Sequence, residues 1–441
     1  MHPDISILQF PSSAALALTF LVGVFLLWRF LPMGNIRHFL SGKCLCCISL
    51  AAVILMTAAE GTWVVALHRS WYFWVPVLLM MLSLEFTVLD GFSSVLRLYR
   101  RGGTNASAPA VPGLLCHLGF FLLASGAFWG APDFVDVQIA AGTGISENQA
   151  YTREGRTFSL PFNLRLEEFV TDYYDDGISP KQYSSLIDVD GTSLVTSVTH
   201  PARYKGYRIY QNDFDRVEGS FSVLKLVRDP WLPLVWLGMI LMALGAALGL
   251  RADWKSKYLT VALIIAALLF TIISVARINF GTLVPALRSW WFVPHLVLYM
   301  LAYSALALAL VFSVISTFVA GESASSSVEP SRFRTLSIKL FDTASSLLLL
   351  GMLCGGVWAK AAWGDWWTWD AKECWAGVTW MLTILGTHLP FAKSRTLSGL
   401  PERHRNIAIF ICMLLAFLAM QMAWYGIDWL PASHASLHTY R

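Results

Sequence analysis

Long apolar runs separated by short polar stretches dominate the chain. A helix needs about 20 apolar residues to cross a bilayer core about 30 Å thick, and about ten runs approach that length. They lie near residues 12–31, 45–66, 71–89, 113–130, 231–250, 258–276, 291–317, 342–360, 376–391 and 406–427. This pattern predicts an all-α polytopic membrane protein with about ten transmembrane helices.

Residues 131–230 follow a different pattern, in which short apolar and polar positions alternate between Gly, Asp and Pro residues. Such alternation is typical of β-strands. We predict a small extracytoplasmic β domain between two membrane parts, residues 1–130 with about four spans and residues 231–441 with about six. Two polar-aromatic strings, 172–177 and 207–212, have two interpretations. They dock an unfolded polypeptide by strand addition, or they pack within the sheet, which we favour.

Basic residues predict the topology of the spans. They follow the odd-numbered spans, as Arg29, Arg37, Lys43, Arg97, Arg100, Arg101, Arg251, Lys255, Lys257, Arg332, Arg334, Lys339, Lys393, Arg395, Arg403 and Arg405. By the positive-inside rule these loops are cytoplasmic. Both termini, the β domain and the loop around 361–375 are then outside. The first run lacks a basic n-region and a cleavage site, so we interpret it as a retained span.

Composition excludes several other classes of protein. The chain is 56% hydrophobic and only 14% charged, and its formal net charge is +4, which does not favour nucleic-acid binding. Its seven cysteines lie mostly in apolar runs, a pattern that argues against a disulfide framework. No Cys-x-x-Cys-His motif and no zinc-finger spacing occurs, so the chain is neither a c-type cytochrome nor an evident zinc protein.

Four histidines are candidate ligands of a haem iron. The predicted topology places His117 and His388 at similar depth near the cytoplasmic face, and His295 and His438 near the outer face. Imidazole inside a span is costly without a partner, and imidazole is a standard axial ligand of haem iron. We predict an inner pair and an outer pair. A hydrogen-bonded packing role is the alternative for each span histidine.

Two further histidines compete for the outer site. His68 ends the second predicted span on the outer side, and His434 lies four residues before His438. The cations that we expect to meet the haem propionates are Arg277, Arg288 and Lys360, which lie near the predicted outer face.

Tryptophan is concentrated between residues 358 and 380, where seven occur in 23 residues. The candidate haem-binding residues of this segment are Trp363, Trp366, Trp367, Trp369, Asp370, Glu373 and Trp375. If the segment is helical, one face carries Trp366, Trp369, Asp370 and Glu373, and it offers flat aromatic area for a porphyrin. The alternative is an amphipathic segment that lies among lipid headgroups.

The string from Trp363 to Trp375 resembles the tryptophan-rich WWD signature of the haem-handling family of cytochrome c biogenesis proteins, W-G-x-x-W-x-W-D-P-K-E-x-W. Ala371 stands where the signature has Pro. The positions of His295, His388 and His438 around the string also resemble this family. The resemblance covers residues 230–441 and indicates a CcsA-like membrane domain.

The first half is similar to the ResB partner of that family. The matching pieces are residues 57–62, 68–73, 117–127, 183–185 and 204–211. The whole chain thus resembles a fused ResB–CcsA cytochrome c synthase of the system II type. Its β domain is short for a fused member of that family.

The resemblance implies a haem lyase that forms thioether bonds. Haem b, both substrate and bound ligand, is expected to enter at His117 and His388 and to pass to an outer site with His295, His438 and the WWD segment. There the thiols of an apocytochrome Cys-x-x-Cys-His polypeptide add to its vinyl groups. The implied location is the bacterial cytoplasmic (inner) membrane, and no acid or base separate from the haem ligands is evident.

Two other functions remain open at this point. A haem exporter or loader would hand haem to a separate chaperone, whereas a b-type cytochrome would transfer electrons from quinol. The ResB-like half disfavours the first. A b-type cytochrome commonly has two histidine ligands within the same helix. No predicted span of this chain holds two histidines.

Overall fold

Along the chain, two groups of helices are separated by the residues of one β sheet. The computed structural model describes residues 8–32, 35–40, 43–217, 219–253, 264–265, 268, 282–319, 330–389 and 402–432. Within these ranges eight helices are long and apolar enough to cross a membrane, and a single antiparallel sheet lies between the two groups. The predicted fold class, a polytopic membrane protein with a small β domain, is confirmed.

The first group of helices precedes the sheet. It consists of α1 (Ser12–Phe30), α2 (Asn35–Leu40), α3 (Lys43–Thr62), α4 (Trp71–Ser107) and α5 (Val111–Gly130). All except the short α2 are candidate spans, in agreement with the four predicted. Helix α4 is kinked at Gly102 and Gly103. The φ of +67° at Gly103 is a conformation that glycine adopts without steric cost.

The second group follows the sheet. It consists of α6 (Leu232–Asp253), α7 (Phe292–Val314), α8 (Pro330–Trp363), α9 (Ala371–His388) and α10 (Glu402–Trp424). Helices α6, α7, α8 and α10 are candidate spans. The ninth predicted span corresponds to α9, whose 18 residues include Lys372 and Glu373, and it is not among the eight. The sixth predicted span, 258–276, lies almost entirely outside the described residues.

The β domain is one eight-stranded sheet. Its strands are β1 (Val135–Gly142), β2 (Ser146–Thr152), β3 (Thr157–Tyr173), β4 (Pro180–Val189), β5 (Thr192–Ser197), β6 (Ala202–Tyr204), β7 (Tyr207–Phe214) and β8 (Phe221–Arg228). The strand order is β5-β4-β3-β2-β1-β8-β7-β6. Alternate residues point into one apolar core that includes Val137, Ile139 and Leu164, as expected from the period of two.

The sheet curls back on itself, which brings its two edges together. The Ser185 hydroxyl of β4 donates to Gln211 Oε1 of β7 at 2.7 Å, and the Thr196 hydroxyl of β5 donates to the Ile209 carbonyl at 2.7 Å. Tyr207 in string 207–212 is buried in the core. The packing interpretation of that string is therefore favoured over strand addition.

The two groups of helices share one apolar core. It is formed by buried residues of α3, α7, α8, α9 and α10, among them Leu50, Met300, Leu348 and Met413. Helix α3, from the first group, packs directly against α9, because a Cβ on Gly61 would lie 2.8 Å from the Cβ of Cys374. The partition into domains at residues 130 and 230 stays a prediction.

Candidate functional site

The structure brings the predicted inner pair together. His117 lies in the second turn of α5, and His388 is the last residue of α9. Their ring centres are 5.9 Å apart, and the ring planes are perpendicular. We call these two residues the histidine pair.

Each ring of the histidine pair is held by its own helix. Nδ1 of His117 is 2.7 Å from the Gly113 carbonyl, and Nδ1 of His388 is 2.9 Å from the Ile384 carbonyl. A carbonyl only accepts, so Nδ1 carries the proton in each ring and Nε2 carries the lone pair. That tautomer is the one in which Nε2 is the metal-binding atom.

The tryptophan-rich segment is not helical between α8 and α9. Residues 364–370, which we call the Trp loop, connect the end of α8 at Trp363 to the start of α9 at Ala371. The expectation of one helical face with Trp366, Trp369, Asp370 and Glu373 is therefore wrong. The loop folds back into the bundle, since the Trp366 carbonyl lies 3.6 Å from the position of a Cβ on Gly356.

Asp370 and Glu373 cap the helix that follows the Trp loop. Asp370 is the N-cap residue of α9, and its carboxylate accepts from the Glu373 amide at 2.8 Å. The Glu373 carboxylate accepts from the Thr368 amide at 2.5 Å and from the Thr368 hydroxyl at 2.9 Å. This arrangement is close to a capping box. Both carboxylates thus fix the path of the loop.

Aromatic rings pack in pairs along the loop. Trp366 meets Trp236 of α6 edge-on at 5.1 Å. The ring centres of Trp363 and Trp358 are 5.5 Å apart. The Trp367 ring lies along α9, where a Cβ on Gly377 would approach it to 3.2 Å. The tryptophan rings therefore pack against three different helices, α6, α8 and α9, and do not form one flat face.

Two indole groups of this region lack a hydrogen-bond acceptor among the described residues. The Nε1 atoms of Trp366 and Trp375 are buried, and neither has a partner there. A buried N–H without an acceptor is costly. A ligand that carries a carboxylate, as haem does on its propionates, fits such donors.

His295 of α7 packs against α8, near the end that leads into the Trp loop. Its Nδ1 is 2.8 Å from the Gly351 carbonyl of α8, so Nε2 carries the lone pair. The centre of its ring lies 5.7 Å from the centre of the Trp358 ring. A Cβ on Gly355 would meet the imidazole at 2.7 Å, whereas one on Gly356 would face the Trp366 carbonyl. Two neighbouring glycines of α8 thus face the imidazole and the Trp loop, respectively.

The last predicted ligand, His438, lies outside the described residues, as does its alternative His434. The described chain ends at Ala432, after α10 and a short 3₁₀ turn. That end lies beside the start of α9, since Lys372 Nζ is 5.8 Å from the centre of the Trp424 ring. The last described residues therefore lie at the Trp-loop end of the bundle.

His68 occupies the Trp-loop end as well. Its imidazole is stacked parallel to the Trp369 ring, with the ring centres 4.8 Å apart and an interplanar angle of 2°. Its Nδ1 contacts the Glu60 carboxylate. Trp369 has a positive φ of 60°, which is a strained backbone for a bulky residue.

Four charged groups join the β domain to the Trp loop. Lys225 of β8 contacts Asp365 at 2.6 Å and Asp136 of β1 at 3.5 Å. Arg153 contacts Asp365 at 2.7 Å and Asp136 at 2.9 Å. The side chain of Lys225 is 5% exposed. Burial raises the pKa of Asp136, and Lys225 and Arg153 oppose that shift.

Two of the three cations expected at the propionates, Lys360 and Arg288, have protein partners. Lys360 is buried, donates to the Gly364 carbonyl at 2.8 Å and lies 3.9 Å from Asp229. Arg288 donates to the Lys181 carbonyl at 3.0 Å. Arg277 is outside the described residues. Lys360 therefore holds the Trp loop in place, and Arg288 binds the β domain.

The histidine pair and the Trp loop lie at opposite ends of α9. The helix has 18 residues, so its ends are about 26 Å apart at 1.5 Å per residue. The β domain is at the Trp-loop end. The bundle thus carries two clusters of potential haem ligands, one toward each end.

Sequence reasoning did not find the contact between Glu60, His68 and Trp369, nor the four-charge group. Both join residues far apart in the chain. One signal was present, because Glu60 is an acidic residue at the end of an apolar run, eight residues before His68. An intramembrane carboxylate with a histidine nearby indicates a functional pair.

Comparison with protein families identifies the two halves separately. A family described as cytochrome C assembly protein matches residues 227–427, and the ResB-like family matches residues 112–220. The two ranges do not overlap. Residues 57–73, which contain Glu60 and His68, lie outside both.

Individual relatives agree with the C-terminal match. The cytochrome c biogenesis protein CcsA of Prochlorococcus marinus strain MIT 9215 is 34% identical over 176 residues, which is 33% of this chain and 57% of the relative. CcsA of strain AS9601 is 36% identical over 140 residues, 26% of this chain and 45% of the relative. The chain spans about half the length of these curated relatives.

The helical bundle with its β domain and Trp loop thus contains one segment that matches cytochrome c assembly proteins and one that matches ResB-like proteins. Together the two matches support a fused ResB–CcsA polypeptide, with the ResB-like segment before the CcsA-like segment.

Proposed function

We propose that the chain is a cytochrome c synthase. It takes up haem b at the histidine pair, passes it to a second site at the Trp loop and attaches it there to Cys-x-x-Cys-His polypeptides. The histidine pair lies near the cytoplasmic face of a bacterial inner membrane, and the Trp loop, the β domain and both termini lie outside. The basic loops support this orientation through the positive-inside rule.

The observation that carries the proposal is the distance within the histidine pair. Each bond from a metal to an imidazole nitrogen is about 2 Å long, so two imidazoles on one metal have their ring centres about 6 Å apart. His117 and His388 have theirs at 5.9 Å, on two different helices. Both rings have Nδ1 at a carbonyl, which directs Nε2 to the iron.

The Trp-loop end supports a second site. His295 has the same tautomer as the histidine pair, and it lies beside the loop that carries Trp366. In our proposal His295 and His438 are the axial ligands there. Trp363, Trp366, Trp367, Trp369 and Trp375 surround the porphyrin, and Asp370 and Glu373 hold the loop that presents them. The indole N–H groups of Trp366 and Trp375 donate to the haem carboxylates.

Attachment requires the thiols of the polypeptide to meet the haem vinyl groups. Binding both partners at one site turns the encounter into an intramolecular reaction, and haem supplies the reactive carbons. The β domain lies at that site through Asp365, Lys225 and Arg153. It is the part of the chain in position to receive the apocytochrome.

Co-expression of the full chain with an exported Cys-x-x-Cys-His reporter tests the proposal. The bacterial host lacks its own cytochrome c maturation system, and haem that survives denaturation on the reporter measures thioether formation. We expect covalent haem with the wild-type chain and at least a tenfold loss, about 1.4 kcal/mol, for His117→Gly and for His388→Gly. His200→Gly, an exposed position in the β domain, is the matched control and retains attachment.

The same experiment separates the other functions. Haem that reaches the exterior without covalent attachment would identify a loader for a separate chaperone. A haem that quinol reduces with turnover would identify a b-type cytochrome. Either result would contradict the synthase.

A further inference from the structure

A carboxylate, an imidazole and an indole form one contact at the Trp-loop end. Glu60 is at the end of α3, His68 is in the 3₁₀ turn Leu67–Arg69, and Trp369 is in the Trp loop. The Glu60 carboxylate contacts Nδ1 of His68 and accepts from the His68 backbone amide at 3.0 Å. The His68 ring is stacked on Trp369.

The imidazole is fixed by two independent constraints. One carboxylate binds both its ring and its backbone, and that carboxylate belongs to a residue only 4% exposed. The indole on the other side is positioned by a backbone with positive φ, a conformation that costs about 1–3 kcal/mol and persists where the surroundings enforce it. Phe73 meets the same indole edge-on at 5.4 Å.

The fixed orientation selects one reactive atom of His68. A carboxylate accepts the Nδ1 proton, so Nε2 has the lone pair. The His68 side chain is 21% exposed and the Glu60 side chain 3%. A carboxylate that orients a partly exposed imidazole is the arrangement that enzymes use to take a proton from a nucleophile.

Several other charged groups of the described residues lie near this contact. Arg69 lies 3.7 Å from Glu154 of the turn that follows β2. Asp370 and Glu373 at the start of α9 are, with Glu60, within electrostatic reach of Cys374. The carboxylate in hydrogen-bond contact with the ring is that of Glu60.

We propose that His68 accepts the proton of the substrate thiol during thioether formation, and that Glu60 is its positioning residue. The inference rests on the proposed synthase function. The S–H bond breaks as its proton moves to Nε2. A C–S bond then forms at the vinyl carbon next to the porphyrin ring, the carbon–carbon π bond breaks, and the proton is delivered to the terminal vinyl carbon. No oxidant or reductant is consumed.

The test compares His68→Gln, Glu60→Gln and the matched control His200→Gln in the full chain, with the reporter polypeptide. The measured quantities are the haem absorption spectrum of each purified protein and the rate of covalent attachment at several pH values. General-base catalysis contributes about 100-fold or more. We expect His68→Gln to retain the wild-type spectrum and to lose attachment by about 100-fold at pH 7, with a smaller loss for Glu60→Gln.

The pH series gives a readout that a structural role does not produce. A free thiol has a pKa of about 8.5, so above about pH 9 the thiolate forms without a base. The deficit of His68→Gln should then shrink toward zero. A deficit equal at every pH, an attachment rate equal to wild type, or an altered haem spectrum in His68→Gln would each overturn the inference. The last result would indicate iron ligation by His68. If the wild-type chain attaches no haem, the proposed function fails and the inference fails with it.

Discussion

The two ends of α9 achieve rigidity in different ways. At the histidine pair, each ring is held by a carbonyl one turn back in its own helix. At the Trp loop, seven residues without regular structure are held by contacts with the 3₁₀ turn at His68, with α4, α6 and α8, and with the β domain. The first cluster depends on local geometry, and the second on the assembly of distant parts.

This difference matches the two tasks in the proposed function. A site that only binds haem needs two ligands at the right distance. A site that joins haem to a polypeptide also needs an opening for that polypeptide and a means to hold its reactive groups. The contact of Asp365 with Lys225 and Arg153 links that second site to the only sheet in the described chain.

The largest difference between the two ends of α9 is expected when Lys225 is replaced. Lys225→Met leaves Asp136 and Asp365 together in a largely buried place with Arg153 as the remaining cation. Removing one partner from a buried ion pair costs about 3 kcal/mol. We expect a lower midpoint of thermal unfolding in detergent and a loss of attachment, while the absorption of haem at the histidine pair persists.

Lys205→Met is the control for that substitution. Lys205 pairs with Asp190 at 2.9 Å on the exposed surface of the β domain, and exposed pairs contribute little. We expect no measurable change in the unfolding midpoint. Equal effects of the two substitutions would show that the four charges do not hold the Trp loop to the β domain.

A second substitution tests His295 separately from the histidine pair. A Cβ on Gly355 would approach the His295 ring to 2.7 Å, so Gly355→Ala must displace the imidazole. We expect at least a tenfold loss of haem attachment to the reporter, about 1.4 kcal/mol. Gly356→Ala is the matched control, because its nearest neighbour would be 3.6 Å away. Unchanged attachment in Gly355→Ala would exclude His295 from the second site.

The smallest expected effect concerns Ala371. This residue is the first of α9, where proline is favoured because its missing N–H is not needed there. The preceding Asp370 has φ −72° and ψ 165°, a conformation that the residue before proline prefers. We expect Ala371→Pro to raise stability by about 0.5 kcal/mol, seen as a small rise in the unfolding midpoint with attachment unchanged. A lower midpoint would show that the start of α9 differs from the one described.

Features set by local pattern were predicted well from the sequence. The apolar runs marked the candidate spans, and alternation marked strands such as β1 and β8. The depth of His117 and His388 along their helices was enough to predict that they meet. These features depend on periodicity and helix length, which a single sequence contains.

Features set by long-range contacts were not predicted. The spacing of Trp366, Trp369 and Glu373 fits a helix, but the caps made by Asp370 and Glu373 begin the helix only at Ala371. The stacking of His68 on Trp369 joins residues about 300 positions apart. A prediction of such a contact needs the tertiary arrangement, which overrides local propensity.

The absorption spectrum of the purified protein tests the central claim most directly, with His117→Gly and His388→Gly variants measured with and without imidazole. We predict a spectrum of iron with two imidazole ligands, its loss in each variant and its recovery when imidazole fills the space left by the side chain. A protein that remains colourless with ample haem, or a spectrum unchanged in both variants, would contradict the account.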